Sequence, residues 1–163
     1  MAAASCLVAL TAWQAPNAVA QPEPSTWSGE FKIRNESTNQ YLIPVGHGLS
    51  HTDNVRVWAF VKAAKGSDWQ WERLSRDTVR IRNADSRMCL RAGVHGKTPT
   101  VVQWTCSRDD TTQQWELRDS RDGTQIVNVA TRQAIEPYRP TGTRYAVLNN
   151  PSRDSTQRWE FRF

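Results

Sequence analysis

Three histidines and one pair of adjacent carboxylates are the side chains with which this chain would begin acid–base or covalent chemistry, and none of them sits in a catalytic pattern. His47, His51 and His95 have no Ser or Cys elbow beside them, and Gly46-His47-Gly48 does not have the spacing of a phosphate cradle. Asp109 and Asp110 are neighbours; on a strand they face opposite ways and cannot flank one bond. Two cysteines without a matched pair of histidines make a poor metal site. The sequence therefore predicts no catalysis, no metal and no cofactor. The chemistry left is recognition. A recognition surface draws on aromatic plates, carboxylates and amides, whose faces and hydrogen-bonding edges meet the apolar and polar sides of a ligand.

The elements that would position such groups are read from a repeat. Asp68-Trp69-Gln70-Trp71-Glu72, Thr112-Gln113-Gln114-Trp115-Glu116 and Thr156-Gln157-Arg158-Trp159-Glu160 resemble one another, and Trp71, Trp115 and Trp159 fall 44 residues apart, from 71 to 115 and from 115 to 159. Ile33-Arg34-Asn35, Ile81-Arg82-Asn83 and Ile126-Val127-Asn128 open the three units. A hydroxyl follows each Asn by three residues, at Thr38, Ser86 and Thr131, and an aliphatic closes each segment at Leu42, Leu90 and Ile135. Alternation such as Phe31, Ile33 or Val79, Ile81 predicts half-buried strands. The Asn and hydroxyl side chains predict tight turns that bond their own backbone, so each unit opens with a hairpin. No segment shows sustained helical periodicity, and Gly, Asn, Asp and Pro punctuate the chain throughout. The pattern is all-β.

Residues 1–20 carry no charge, are rich in Ala, Leu and Val, and end Ala18-Val19-Ala20. This small-x-small ending predicts a signal peptide and export, although no Lys or Arg stands at its front. No stretch reaches the roughly 20 apolar residues of a membrane span. Residues 21–28, with two prolines, read as a linker, and the domain as residues 29–163. Such a length buries about two-thirds of what the open chain exposes.

Cys6 leaves with the leader, so the exported chain has two thiols, Cys89 and Cys106, both in the middle unit. The corresponding positions read as Tyr41 and Lys62 in the first unit and Ala134 and Asn150 in the third, so the two cysteines are present together or absent together. That is the behaviour of a disulfide, and export provides the oxidising compartment.

The middle unit, Met88-Cys89-Leu90 through Thr105-Cys106 to Gln113-Gln114-Trp115, resembles the ricin B-type lectins, whose mark is Gln-x-Trp once per unit. The resemblance covers residues 29–163. It implies a β-trefoil with a pseudo-three-fold plan: twelve strands, a six-stranded barrel capped by three hairpins, and one shallow sugar pocket per unit. It also implies that Trp71, Trp115 and Trp159 serve the core while the Gln amides satisfy backbone groups. In the first unit Trp69 stands in the Gln position.

The family's carboxylate slot, two residues after the first Cys, holds Ile43, Arg91 and Glu136 in the three units. Its plate slot holds Phe60, Trp104 and Leu148, and its amide slot Trp58, Val102 and Ala146. Only the third unit keeps an acid. Tyr138 and Tyr145 are candidates for its plate, with Asn149 and Asn150 nearby as amides. The expected site is therefore Glu136 with Tyr138, Tyr145, Asn149 and Asn150, and Trp104 is a second plate set beside a cation.

The incomplete pockets keep another reading open. Trp58, Phe60 and Trp69 crowd the first unit, and such runs look like the lectin-like A and C subunits of cytolethal distending toxins, which implies an aromatic patch for partner or receptor contact. The net charge of +5 is spread over scattered arginines, which marks a solvated surface rather than a nucleic-acid footprint. The expectation is a secreted, monomeric, non-catalytic lectin-like protein that meets glycans or a glycosylated cell-surface receptor. Its alternative is the receptor-binding or delivery subunit of an AB-type toxin with partner subunits.

Overall fold

In a computed structural model that describes residues 27–46, 55–60, 62–138 and 145–163, the alternating stretches become twelve strands. They are β1 (Phe31–Asn35), β2 (Tyr41–Pro44), β3 (Val55–Phe60), β4 (Asp68–Arg73), β5 (Thr78–Asn83), β6 (Cys89–His95), β7 (Thr98–Trp104), β8 (Gln114–Ser120), β9 (Gly123–Asn128), β10 (Ala134–Pro137), β11 (Ala146–Asn149) and β12 (Trp159–Arg162). The described residues contain no α-helix, only two 3₁₀ turns at Thr111–Gln113 and Ser155–Gln157. The all-β, trefoil-like expectation is met. The expected leader at residues 1–20, His47 and His51 lie outside the described residues.

Six strands pair antiparallel in a ring. β1 pairs with β4, β4 with β5, β5 with β8, β8 with β9, β9 with β12, and β12 returns to β1. Closure removes sheet edges, each otherwise a row of unpaired backbone groups. The remaining strands form three hairpins, β2 with β3, β6 with β7 and β10 with β11, and these join one another through β3–β7 and β7–β11.

The turn that opens each unit is built by its asparagine. Asn35 Oδ1 accepts from the backbone N–H of Ser37 and Thr38, Asn83 Oδ1 from Asp85 and Ser86, and Asn128 Oδ1 from Ala130 and Thr131. The residue four after each Asn is left-handed: Asn39, Arg87 and Arg132 have φ of 57°, 62° and 61°. Each Asn Nδ2 donates across to two carbonyls of a neighbouring strand entry, those of Thr156 and Arg158, Gly66 and Asp68, or Thr112 and Gln114. A single buried amide thus fixes both its own turn and the docking of the next strand.

Those crossings define which residues correspond. Gly66, Thr112 and Thr156 match, so the tryptophans that follow in register are Trp69, Trp115 and Trp159. All three are fully buried. Their indole N–H groups donate to Leu42, Leu90 and Ile135 carbonyls at 2.9, 3.0 and 2.9 Å, which satisfies the polar end of an otherwise apolar ring. The expectation that Trp71 fills the core is therefore corrected. Trp71 lies two residues further along β4, half-buried, with its ring against Phe31 and Phe161 at 4.7 and 5.1 Å. Ser67 occupies the Gln position of the first unit, buried, its Oγ without a hydrogen-bond partner among the described residues. In the other units that position is Gln113 and Gln157. Gln113 Nε2 donates to the Thr105 carbonyl and its Oε1 accepts from Ser107 N; Gln157 Nε2 donates to the Asn150 carbonyl and its Oε1 accepts from Ser152 N.

The expected disulfide joins Cys89 and Cys106, with Cα atoms 5.0 Å apart. It ties the start of β6 to the segment just after β7. Trp27 and Ser28 are docked on the barrel: Ser28 exchanges two hydrogen bonds with Trp71, and the Arg82 guanidinium lies 4.0 Å from the Trp27 ring centroid.

A candidate carbohydrate-binding site on the third unit

Glu136 sits on β10 opposite Val147 of β11, and Ala134 lies opposite Asn149. Side chains two apart on a strand share a face, so Glu136 and Asn149 point to the same side of this hairpin. Asn149 Nδ2 donates to Glu136 Oε1 at 2.5 Å, and Gln157 Nε2 donates to Oε2 at 2.9 Å. Gln157 is buried and comes from the 3₁₀ turn that Asp154 caps by accepting from Thr156 N. Both carboxylate oxygens are thus held in place, each with acceptor capacity to spare. Asn149 is exposed, so the Glu136–Asn149 pair opens to solvent over a rigid base. Such an arrangement can accept from one hydroxyl and donate to the next.

The register corrects the third unit by one residue. Leu42, Leu90 and Ile135 face Ala59, Gln103 and Leu148; the position matching Phe60 and Trp104 is therefore Asn149, not Leu148, which is buried in the core. The amide slot moves likewise from Ala146 to Val147. Asn150 contributes its backbone carbonyl, to Gln157, rather than a side-chain contact. Tyr138 and Tyr145 are joined by a backbone hydrogen bond, Tyr138 N to Tyr145 O, at 2.7 Å. They line an adjoining recess of about 240 Å³ with Arg56, His95, Thr98 and Val147, and Glu136 is not part of its wall.

The middle unit is differently wired. Arg91 occupies the carboxylate slot, its Nε 3.2 Å from Asp110 Oδ2, and its guanidinium lies 4.6 Å from the centroid of Trp104. Burial raises the Asp110 carboxyl, but the hydrogen bonds from Thr112 and the bond and charge of Arg91 outweigh it and hold it below the usual carboxylate range. Gln113 Nε2 also reaches Asp110, at 3.3 Å. An acid is present after all, supplied from the loop rather than the strand, and it is engaged by the arginine that lies over the plate. A shallow trough of about 400 Å³ runs beside them, lined by Arg91, Val94, Trp104 and Thr131 among others. Among the described residues no group of three or more His, Cys, Asp or Glu is placed to hold a metal ion.

The profile of the family described as ricin-type beta-trefoil lectin domain-like matches residues 11–93 and residues 66–149. The chain belongs to this ricin-type family. No curated protein matches it. Among solved structures, the designed three-fold symmetric protein ThreeFoil is similar at a TM-score of 0.73 and 18% identity, over 83% of this chain and 99% of that one. The Haemophilus ducreyi cytolethal distending toxin is similar at 0.64 and 15%, over 82% of each chain. The Polyporus squamosus lectin, bound in its structure to an influenza-binding epitope, is similar at 0.63 and 18%, over 82% of this chain and 48% of that one. At these identities the likeness is one of fold.

Within this ricin-type fold the aromatic cluster expected on the first unit is also corrected. Trp69 is in the core with no exposed surface and has no part in a surface patch. Trp58 and Phe60 are half-buried, their rings stacked with centroids 5.8 Å apart, and Trp58 lies 6.4 Å from Tyr145. Sequence reasoning missed Gln157 as the brace of Glu136 and Asp110 as the partner of Arg91. The signal for the first was its place in Thr-Gln-Arg-Trp, read only as structural; the second was set aside because it adjoins Asp109. Among the described residues no helix is long and apolar enough to cross a membrane.

Proposed function

We propose that this protein is a secreted, non-catalytic carbohydrate-binding protein whose working site is on the third of three units related by a pseudo-three-fold plan. The observation that carries the reading is the Glu136 carboxylate, fixed on one oxygen by exposed Asn149 and on the other by buried Gln157. A carboxylate held this way accepts from a sugar hydroxyl without first losing side-chain freedom, and the neighbouring amide completes a vicinal pair. Membership of the ricin-type family supports the ligand class. The middle unit is scaffold in this reading, because Arg91 covers Trp104 and neutralises Asp110. A glycan array on the exported chain tests it. Binding of at least one neutral hexose-terminated glycan, lost in Glu136→Ala, is expected; an array with no signal, or one that Glu136→Ala leaves unchanged, rejects it.

The second reading is a receptor-binding subunit of an AB-type toxin. The stacked Trp58 and Phe60 rings, continued by Tyr145, support it. Its test is co-purification of the native chain with a nuclease subunit from its source, abolished by Trp58→Ala.

A further inference from the structure

The recess that holds Tyr138 and Tyr145 lies where the three hairpins meet. Because the indole acceptors Leu42, Leu90 and Ile135 face Ala59, Gln103 and Leu148, the positions three residues earlier correspond as well, and these are Arg56, Thr100 and Tyr145. They converge. Arg56 pairs with Val102, Thr100 with Val147 and Tyr145 with Trp58, so each hairpin hands on to the next around a common centre. All three residues line the recess. A symmetric trefoil would place one residue type here three times; this chain places a cation, a hydroxyl and a phenol.

The chemistry of the wall is one-sided. Arg56 Cζ stands 3.7 Å from the centroid of the Tyr145 ring, a cation–π contact that positions the guanidinium at the wall of the recess. Among the described residues no carboxylate lies within ion-pair distance of Arg56, and none lines the recess. His95, Thr98 and the partly exposed Tyr138 add further donors around the opening. The Thr100 hydroxyl is committed to the Ala146 carbonyl at 2.9 Å. At about 240 Å³ the space is below the roughly 300–1,000 Å³ of ordinary ligand pockets, which suits one ring rather than a chain. Fork-shaped donors select planar or tetrahedral oxyanions, and the exposed Tyr138 ring suits a sugar's apolar side.

We infer that this junction is a second, anion-selective subsite that takes a carboxylated or sulfated sugar ring, with the oxyanion on Arg56, which Tyr145 positions, and the ring against Tyr138. The inference rests on the carbohydrate reading of the third unit, from which it is separable by mutation. The test titrates the full chain with methyl glucuronide, methyl glucoside and inorganic sulfate, following backbone amides by NMR, in the wild type, Arg56→Gln, Arg56→Lys and Glu136→Ala. The glucuronide should bind about tenfold tighter than the glucoside and shift the amides of Thr98, Thr100 and Tyr145. That preference should vanish in Arg56→Gln, persist in part in Arg56→Lys, which keeps the charge without the fork, and survive Glu136→Ala. A preference that Arg56→Gln leaves intact, or sulfate binding as tightly as the glucuronide, overturns the inference. Neutral-sugar binding unaffected by Glu136→Ala would instead overturn the third-unit site alone.

Discussion

Exchanging each of two tryptophans on β4 for phenylalanine separates the two registers of the first unit. Trp69 is fully buried and its indole N–H donates to the Leu42 carbonyl at 2.9 Å. Trp69→Phe removes that donor and leaves a buried carbonyl unsatisfied, a cost of about 1–3 kcal/mol. The smaller ring also forfeits about 1 kcal/mol of buried apolar contact. The sum, about 2–4 kcal/mol, is a large share of the stability of an ordinary domain. Trp71 is half-buried and packs against Phe31 and Phe161, contacts that a phenylalanine keeps in large part, so Trp71→Phe should cost less than about 1 kcal/mol. Urea unfolding followed by far-ultraviolet circular dichroism measures both without relying on the fluorescence that the substitutions alter. At an unchanged slope, the midpoint should fall far more for Trp69→Phe. Equal losses, or a larger one for Trp71→Phe, would refute the register and with it the correspondence of Ser67 to Gln113 and Gln157.

Reducing the Cys89–Cys106 bridge, or replacing both residues by serine, frees a loop with a separation of 17 residues and should cost about 3 kcal/mol; a chemical denaturation curve that does not move contradicts this. Glu72 and Arg80 form a buried ion pair, so Glu72→Leu, which strands the guanidinium, should destabilise by about 3–5 kcal/mol, while the double variant Glu72→Leu, Arg80→Met should recover most of the loss. Asp110 titrates lower folded than unfolded because the bonds from Thr112 and Arg91 outweigh its burial. Its contribution is therefore present above its unfolded value of about 3.9 and lost as pH falls through the lower folded value. Stability measured from pH 2 to pH 7 should drop more steeply below about pH 4 in the wild type than in Asp110→Asn.

Much of the fold was legible because local chemistry and global pairing agree. The Asn and hydroxyl spacing announced the turn, and the structure puts Asn35, Asn83 and Asn128 to that use while adding a cross-strand role that no local pattern encodes. The paired occurrence of Cys89 and Cys106 announced their bond. The first-unit register was hidden because strands repeat every two residues: Trp69 and Trp71 share a face, and the Trp-Glu pair at Trp71-Glu72 imitates those at 115 and 159. The Asn83 crossing to Gly66 and Asp68 and the reach of the Trp69 indole to the Leu42 carbonyl separate them, and both exist only in the closed fold. Glu136 and Asn149 were readable as a polar pair, but Gln157 lies 21 residues from Glu136 and meets it only through the closed fold. The convergence of Arg56 and Tyr145 was out of reach of the sequence for the same reason, since it depends on which hairpins abut.

The proposed carbohydrate site is tested most directly by the affinity of the best array ligand for the wild type, Glu136→Gln and Arg91→Ala, measured by titration calorimetry. A hydrogen bond to a charged group contributes about 1.5–3 kcal/mol, so Glu136→Gln should weaken binding by roughly 10- to 100-fold, with Arg91→Ala unchanged. An affinity that survives Glu136→Gln, or one that falls only with Arg91→Ala, would contradict the assignment of sugar binding to the third unit.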